Sequence, residues 1–169
     1  GDQRIMAVSG ATLMEVEYPA TAGTRREPGY LRLADSLRRI GCPDDDLREL
    51  WFRMIFNILV GNDDDHPRNH AAIYVHDEKR WRLSPAFDIV PNPVGRTDYQ
   101  AIQVTAGTRK VSRQAITGNA SRLGIHPDRA AEQLDAFCAL VNTNANALDE
   151  CDEKGLLVEY IRTGIALLS

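Results

Sequence analysis

Lysine is scarce in this chain. There are three, Lys79, Lys110 and Lys154, and none of the first 78 residues is a lysine. No G-x-G-x-x-G occurs upstream of the acidic run at 63–65 either. A glycine-rich turn and a nearby lysine are a common means of holding nucleotide phosphates, so such a clamp is not encoded here. Cysteine is sparse too: Cys42, Cys138 and Cys151 are an odd number, widely spaced and without a CxxC pair. That pattern excludes a disulfide framework and a cysteine-based metal cluster, and reduced thiols are the expectation. No apolar run reaches the roughly 18 residues of a membrane span, and Gly1-Asp2-Gln3-Arg4 lacks the features of a signal peptide. A cytoplasmic protein with no membrane partner is expected. Positive charge is not in excess. The net charge of −4 and pI near 5.6 exclude a global basic field for nucleic acid, although a local basic face stays open.

What remains is ordinary globular material. The 169 residues are 43% apolar and 26% charged, enough for one sizeable core and one domain. Met6-Ala7-Val8 could form a short strand, and Pro19, Ala22-Gly23-Thr24 and Pro28-Gly29 read as loop and turn signals. From Tyr30 the pattern is helical, with Leu33, Ala34 and Leu37 on the same face and Gly41 and Pro43 ending it. The strongest element follows. Leu47, Leu50, Trp51, Met54, Ile55, Ile58 and Leu59 make a continuous stripe at the α-helical period. Asp44, Asp45 and Asp46 suit its N-terminus, one of them as N-cap, and Gly61-Asn62 stops it. Phe56 and Val60 lie off the stripe, so burial on more than one side of the last turn is expected. Ala71–Val75 and Trp81–Leu83 read as strands around the turn His76-Asp77-Glu78-Lys79. Residues 98–105 alternate weakly, as a strand would. The rest is helical: 116–123, a helix opened by His126-Pro127-Asp128, and a last one carrying Leu157, Tyr160, Ile161 and Leu168. The fold class is therefore mainly α with a small β-hairpin region, an α+β arrangement like the helical C-lobe of a kinase.

The chemistry concentrates between residues 60 and 91. Asp64 is followed five residues later by Asn69, and Asp88 lies just beyond the hairpin. Phosphoryl transfer needs a carboxylate to orient an acceptor hydroxyl, and a few oxygen ligands for Mg²⁺ that leave room for phosphate and water. Asp64 suits the first role; Asn69 and Asp88 suit the second, with Asn contributing a neutral oxygen beside the triphosphate. Of the three adjacent aspartates, only Asp64 has this spacing. Asp63 and Asp65 are expected to cap local amides or shape the turn. His66 stands where protein kinases carry a lysine that touches the transferred phosphate, so it is a candidate catalytic and phosphate-binding donor, and Pro67 stiffens the loop. Taken alone, the Asp run would read as a solvated helix cap. His66 and His70 have a zinc-like spacing, but Pro67 between them argues against a continuous helix. An EF-hand is excluded by the missing turn glycine and terminal Glu. Trp81 and Phe87 are expected to be core anchors.

F-N-I-L-V-G-N-D-D-D-H-P-R-N-H followed by W-R-L-S-P-A-F-D-I-V-P-N-P resembles the C-terminal domain of HipA-family serine/threonine kinases, the toxins of bacterial toxin–antitoxin modules. The similarity is strongest over residues 47–93. It implies that Asp64 is the catalytic base, that Asn69 and Asp88 bind Mg²⁺, and that ATP is the co-substrate. Phe87-Asp88-Ile89 stands where ordinary kinases have Asp-Phe-Gly. The resemblance also implies a protein substrate (aminoacyl-tRNA synthetases are among those known in the family), a helix-turn-helix antitoxin and, through it, operator DNA. Members carry a mostly β N-terminal portion with the phosphate-covering loop and lysine. It is absent here, so the chain is expected to be part of a longer protein and inactive alone.

Two other readings stay open. Aminoglycoside- and choline-kinase-like enzymes have a similar D-x-H-P-x-N loop, although L-S-P-A-F-D-I-V-P favours the HipA side. The missing clamp also leaves room for a non-catalytic domain that binds an antitoxin or DNA.

Overall fold

A computed structural model describes residues 5–19, 26–92, 95, 97–147 and 154–169, with Lys154 seen in its backbone only. Three strands, β1 (Ala7–Ser9), β2 (Ala71–Val75) and β3 (Arg80–Leu83), form an antiparallel sheet in the order β1-β2-β3. The hairpin expected at 71–83 is thus extended by a strand from the start of the chain. Ala7 pairs with Ile73, and Tyr74 with Trp81. The helices are α1 (Gly10–Met14), α2 (Tyr30–Arg39), α3 (Asp44–Val60), α4 (Arg113–Gly118), α5 (Pro127–Asn146) and α6 (Lys154–Leu168). A short 3₁₀ turn at Ala120–Leu123 follows α4. The result is the expected α+β architecture.

Helix α3 runs through the core and packs against α2, α5, α6 and β3. Every residue of its apolar stripe is buried. Of the two apolar residues off the stripe, Val60 is buried and Phe56 is partly buried against the core, so the last turn is covered on more than one side. The Trp51 indole N–H donates to the Ile116 carbonyl at 3.2 Å, joining α3 to α4.

The aspartates at the head of α3 act differently from expectation. The N-cap is Pro43, without a side-chain cap bond, and all three aspartates lie in the first turn. Asp46 is 4% exposed. It accepts from the Arg82 guanidinium at 2.9–3.1 Å and from the Leu83 amide at 2.7 Å. A long-range ion pair to β3 takes the carboxylate that a local cap would have used.

Other differences have local causes. Helix α1 has only five residues, capped by the Ser9 hydroxyl accepting from the Thr12 amide; that is too short to show a hydrophobic period. Residues 98–105 are not a strand. Gln100, Ile102 and Val104 are buried, so the alternation is real. The backbone bonds scatter, however: the amides of Ala101, Gln103 and Val104 donate to Asp63, Pro28 and Thr108 in separate segments. Trp81 is half-buried against the core, but Phe87 is 44% exposed and anchors nothing. Cys42 and Cys138 are free and buried, and burial pushes both thiols up to about 11. Cys151, Pro93 and the 22–24 turn lie outside the described residues. Among the described residues, no helix is long and apolar enough to cross a membrane.

Candidate active site

Helix α3 ends where a left-handed residue is required. Gly61 has φ 74°, and a Cβ there would come within 2.8 Å of the Tyr160 ring. This turn launches the loop 62–70 from the buried end of α3. The loop then enters β2, the hairpin returns the chain, and 84–92 passes back beside the loop. Asn62 ties the two stretches together, its amide donating to Asn57 Oδ1 at 3.1 Å and to the Asp88 carbonyl at 3.4 Å.

The outcome is a cleft of about 340 Å³ lined by Asn62, Asp63, Asp64, Asn69, Asp88, Val90, Pro91 and Asn92. Asp64, Asn69 and Asp88 therefore line one space, although 24 residues separate the first from the last. Asp64 and Asp88 are exposed, and neither carboxylate accepts a hydrogen bond from a described residue. Asn69 is 6% exposed. Its amide nitrogen donates to the Asp64 carbonyl at 3.4 Å, which leaves its side-chain oxygen free to act as a ligand. Asp88 has φ 58°, a left-handed conformation that Asp tolerates better than most residues but which still carries strain.

The flanking aspartates do not cap local amides. The Asp63 carboxylate accepts from the Asn92 amide at 3.0 and 3.2 Å and from the Thr97 backbone at 3.2 Å. Asp65 is 2% exposed and faces inward. It accepts from the Tyr30 hydroxyl and from His70 Nε2, the latter at 3.0 Å. Burial alone would raise the Asp65 pKa, but the His70 charge and the hydrogen bonds from His70 and Tyr30 outweigh it and hold the carboxyl below its ordinary value. His66 is not part of the cleft lining. Its ring packs on Tyr18, with centroids 4.7 Å apart, and its buried Nδ1 has no hydrogen-bond partner among the described residues. Tyr18 in turn is raised in pKa, first by burial and then by the Asp64 charge.

A divalent cation fits the donor set: the Asn69 oxygen and the Asp88 carboxylate are hard ligands at the edge of an open cleft. Among the described residues, no group of three or more His, Cys, Asp or Glu side chains could hold a metal. His70, noted in the sequence only for its spacing from His66, is buried against Asp65, five residues before it. The residues the sequence did not single out for the site are Tyr30, Gly10 and Asn92, whose partners are remote in the chain and which no local motif marks.

The sequence pattern of the HipA-like C-terminal domain matches residues 2–145. The chain belongs to the HipA-like C-terminal domain family. No curated protein sequence matches it. Among solved structures, this HipA-like domain is similar to a chain of the Shewanella oneidensis MR-1 toxin–antitoxin complex of HipA, HipB and operator DNA. The TM-score is 0.68 at 14% identity, with 99% of this chain and 44% of that chain covered. At that identity the likeness is one of fold, and the HipA-like domain spans under half the length of its structural relative.

Proposed function

We propose that this HipA-like domain is the base- and metal-bearing part of a serine/threonine protein kinase that moves the γ-phosphoryl group of Mg-ATP to a protein hydroxyl. The observation that carries the proposal is the shared cleft: two exposed carboxylates that accept no hydrogen bond from a described residue and one amide oxygen converge there from the loop and from the far side of the hairpin. In the transfer, the bond between the γ-phosphorus and the oxygen bridging to ADP breaks. A bond forms from the acceptor oxygen to that phosphorus, and the hydroxyl proton passes to the Asp64 carboxylate. Asn69 and Asp88 hold Mg²⁺, which when bound offsets the negative charge on the phosphate oxygens. The left-handed turn at Asp88 sets the backbone from which its side chain leaves on the cleft side. His66 packs its ring on Tyr18 outside the cleft lining, and the scheme assigns it no step.

The phosphate clamp is assigned to sequence outside these 169 residues, because the first 78 contain no lysine. A toxin role with a helix-turn-helix antitoxin and operator DNA as partners is supported by the Shewanella complex, in which a chain of this fold is seen with HipB and DNA. The test is transfer of labelled phosphate by the full-length protein, with protein extract and small alcohols offered as alternative acceptors. Asp64→Asn should lower turnover by about 10²–10⁴. Undiminished turnover would overturn the assignment of the base, and labelling confined to small alcohols would overturn the protein-kinase assignment.

A further inference from the structure

Asp64 and Asp65 are neighbours with opposite surroundings. Asp64 is exposed in the cleft, whereas Asp65 is 2% exposed in the interior behind it. Because the two share one peptide, fixing Asp65 in the interior also restrains the backbone that carries Asp64 at the cleft. What holds Asp65 inward is a pair of groups from two separate segments. The Tyr30 hydroxyl comes from the first residue of α2, and His70 Nε2, at 3.0 Å, comes from the residue before β2.

The holders are themselves held. Tyr30 and His70 are both 0% exposed. Their rings meet edge to face, with centroids 5.7 Å apart and planes at 75°. The Tyr30 amide donates to the Gln103 carbonyl at 3.0 Å, and the Gly10 amide donates to the His70 carbonyl at 2.6 Å. A turn that needed only shape could be made by exposed Asp, Asn or Gly. This chain instead buries a carboxylate and satisfies it with groups 35 and 5 residues away. Burying a charge is costly unless it is paired, and the return is a unique geometry.

We propose that Tyr30, Asp65 and His70 form a positioning network that fixes the peptide carrying Asp64, so that the carboxylate points into the cleft. This role rests on Asp64 being the base, but the holding of the loop can be measured separately. Tyr30→Phe removes one oxygen and keeps the ring packed, while Asp65→Asn keeps the shape and removes the charge.

Hydrogen exchange of the full-length protein reads the first half. Amides of the 62–70 loop should exchange about tenfold faster in either variant, with α5 unchanged. Should Asp65→Asn fail to fold, Tyr30→Phe still gives the measurement. Steady-state kinetics read the second half. Turnover should fall about 10–100-fold with KM for ATP unchanged, and Tyr30→Phe should add nothing to the residual rate of Asp64→Asn. A purely structural network would give the same fractional loss in both backgrounds, and that result would overturn the proposal. Unchanged loop exchange in the variants would overturn it as well. If the wild-type protein transfers no phosphate, the kinase assignment fails, and loop exchange alone then decides whether the network holds the loop.

Discussion

Asn92 donates its side-chain amide to both carboxylate oxygens of Asp63, at 3.0 and 3.2 Å, and so fastens one wall of the cleft to the other. Asn92 is also secured through its backbone. Its amide donates to the Gly61 carbonyl at 2.9 Å, and its carbonyl accepts from the Tyr160 hydroxyl at 2.5 Å. The 90–92 wall is therefore referenced to the end of α3 and to α6. Asp63→Ala should loosen it: KM for Mg-ATP in the full-length protein is expected to rise about tenfold, which matches the loss of one charged hydrogen bond. An unchanged KM would count against the wall's part in nucleotide binding.

Gly10 meets the loop from the other side. A Cβ there would lie 2.6 Å from the Pro67 carbonyl oxygen and 3.1 Å from His70 Cβ. Both are backbone or near-backbone atoms that cannot swing aside, so the sheet or the loop would have to move. Gly10→Ala should lower stability by about 1–3 kcal/mol and reduce turnover more than Thr12→Ala, which changes an exposed side chain two positions on. Urea unfolding and initial rates measure the two effects. Equal behaviour of the two variants would show that the close approach can relax.

Asp46 holds α3 to the hairpin. Asp46→Ala leaves the Leu83 amide without its partner and removes a bidentate contact to Arg82. A loss on the order of 2–3 kcal/mol is expected in denaturant titration. Asp45, one residue earlier, pairs with Arg48 through side chains 73% and 48% exposed. Asp45→Ala should change stability by less than about 0.5 kcal/mol. Comparable losses would mean that the helix terminus, and not the bridge to β3, carries the stabilisation.

The Asp65 carboxyl gives the chain a dependence on acid. Burial would raise its pKa, but His70 and Tyr30 hold it below the unfolded value of about 3.9. In the unfolded chain it therefore binds its proton at a higher pH than in the folded one. The stabilisation is complete above the unfolded pKa and is lost as pH falls through the folded pKa. Thermal melts between about pH 5 and pH 2 should show a steep decline in wild type and a shallower one in Asp65→Asn. Parallel declines in the two proteins would place the acid sensitivity elsewhere.

Some of this was legible in the linear chain, and for local reasons. The α3 stripe is readable because a helix buried along its length must repeat apolar residues every three or four positions. The Asp64–Asn69 spacing is readable because five residues of loop fix which side chains can share a face, and Asp88 follows because the hairpin between them has recognisable strands. The start of α5 was marked by Pro127 at its first turn, with His126 as N-cap.

Tertiary structure alone decided what each aspartate does. Asp46, Asp63 and Asp65 look like generic helix and turn acids, but their partners Arg82, Asn92 and Tyr30 are 36, 29 and 35 residues away. No local pattern records such pairs, because the bond depends on where two elements cross and not on what stands beside the residue. The same holds for residues 98–105, whose alternation reports burial correctly while their amides find partners in separate segments. Burial periodicity is a property of one segment and survives in the sequence. Polar pairing is a property of two, and it exists only once the chain has folded.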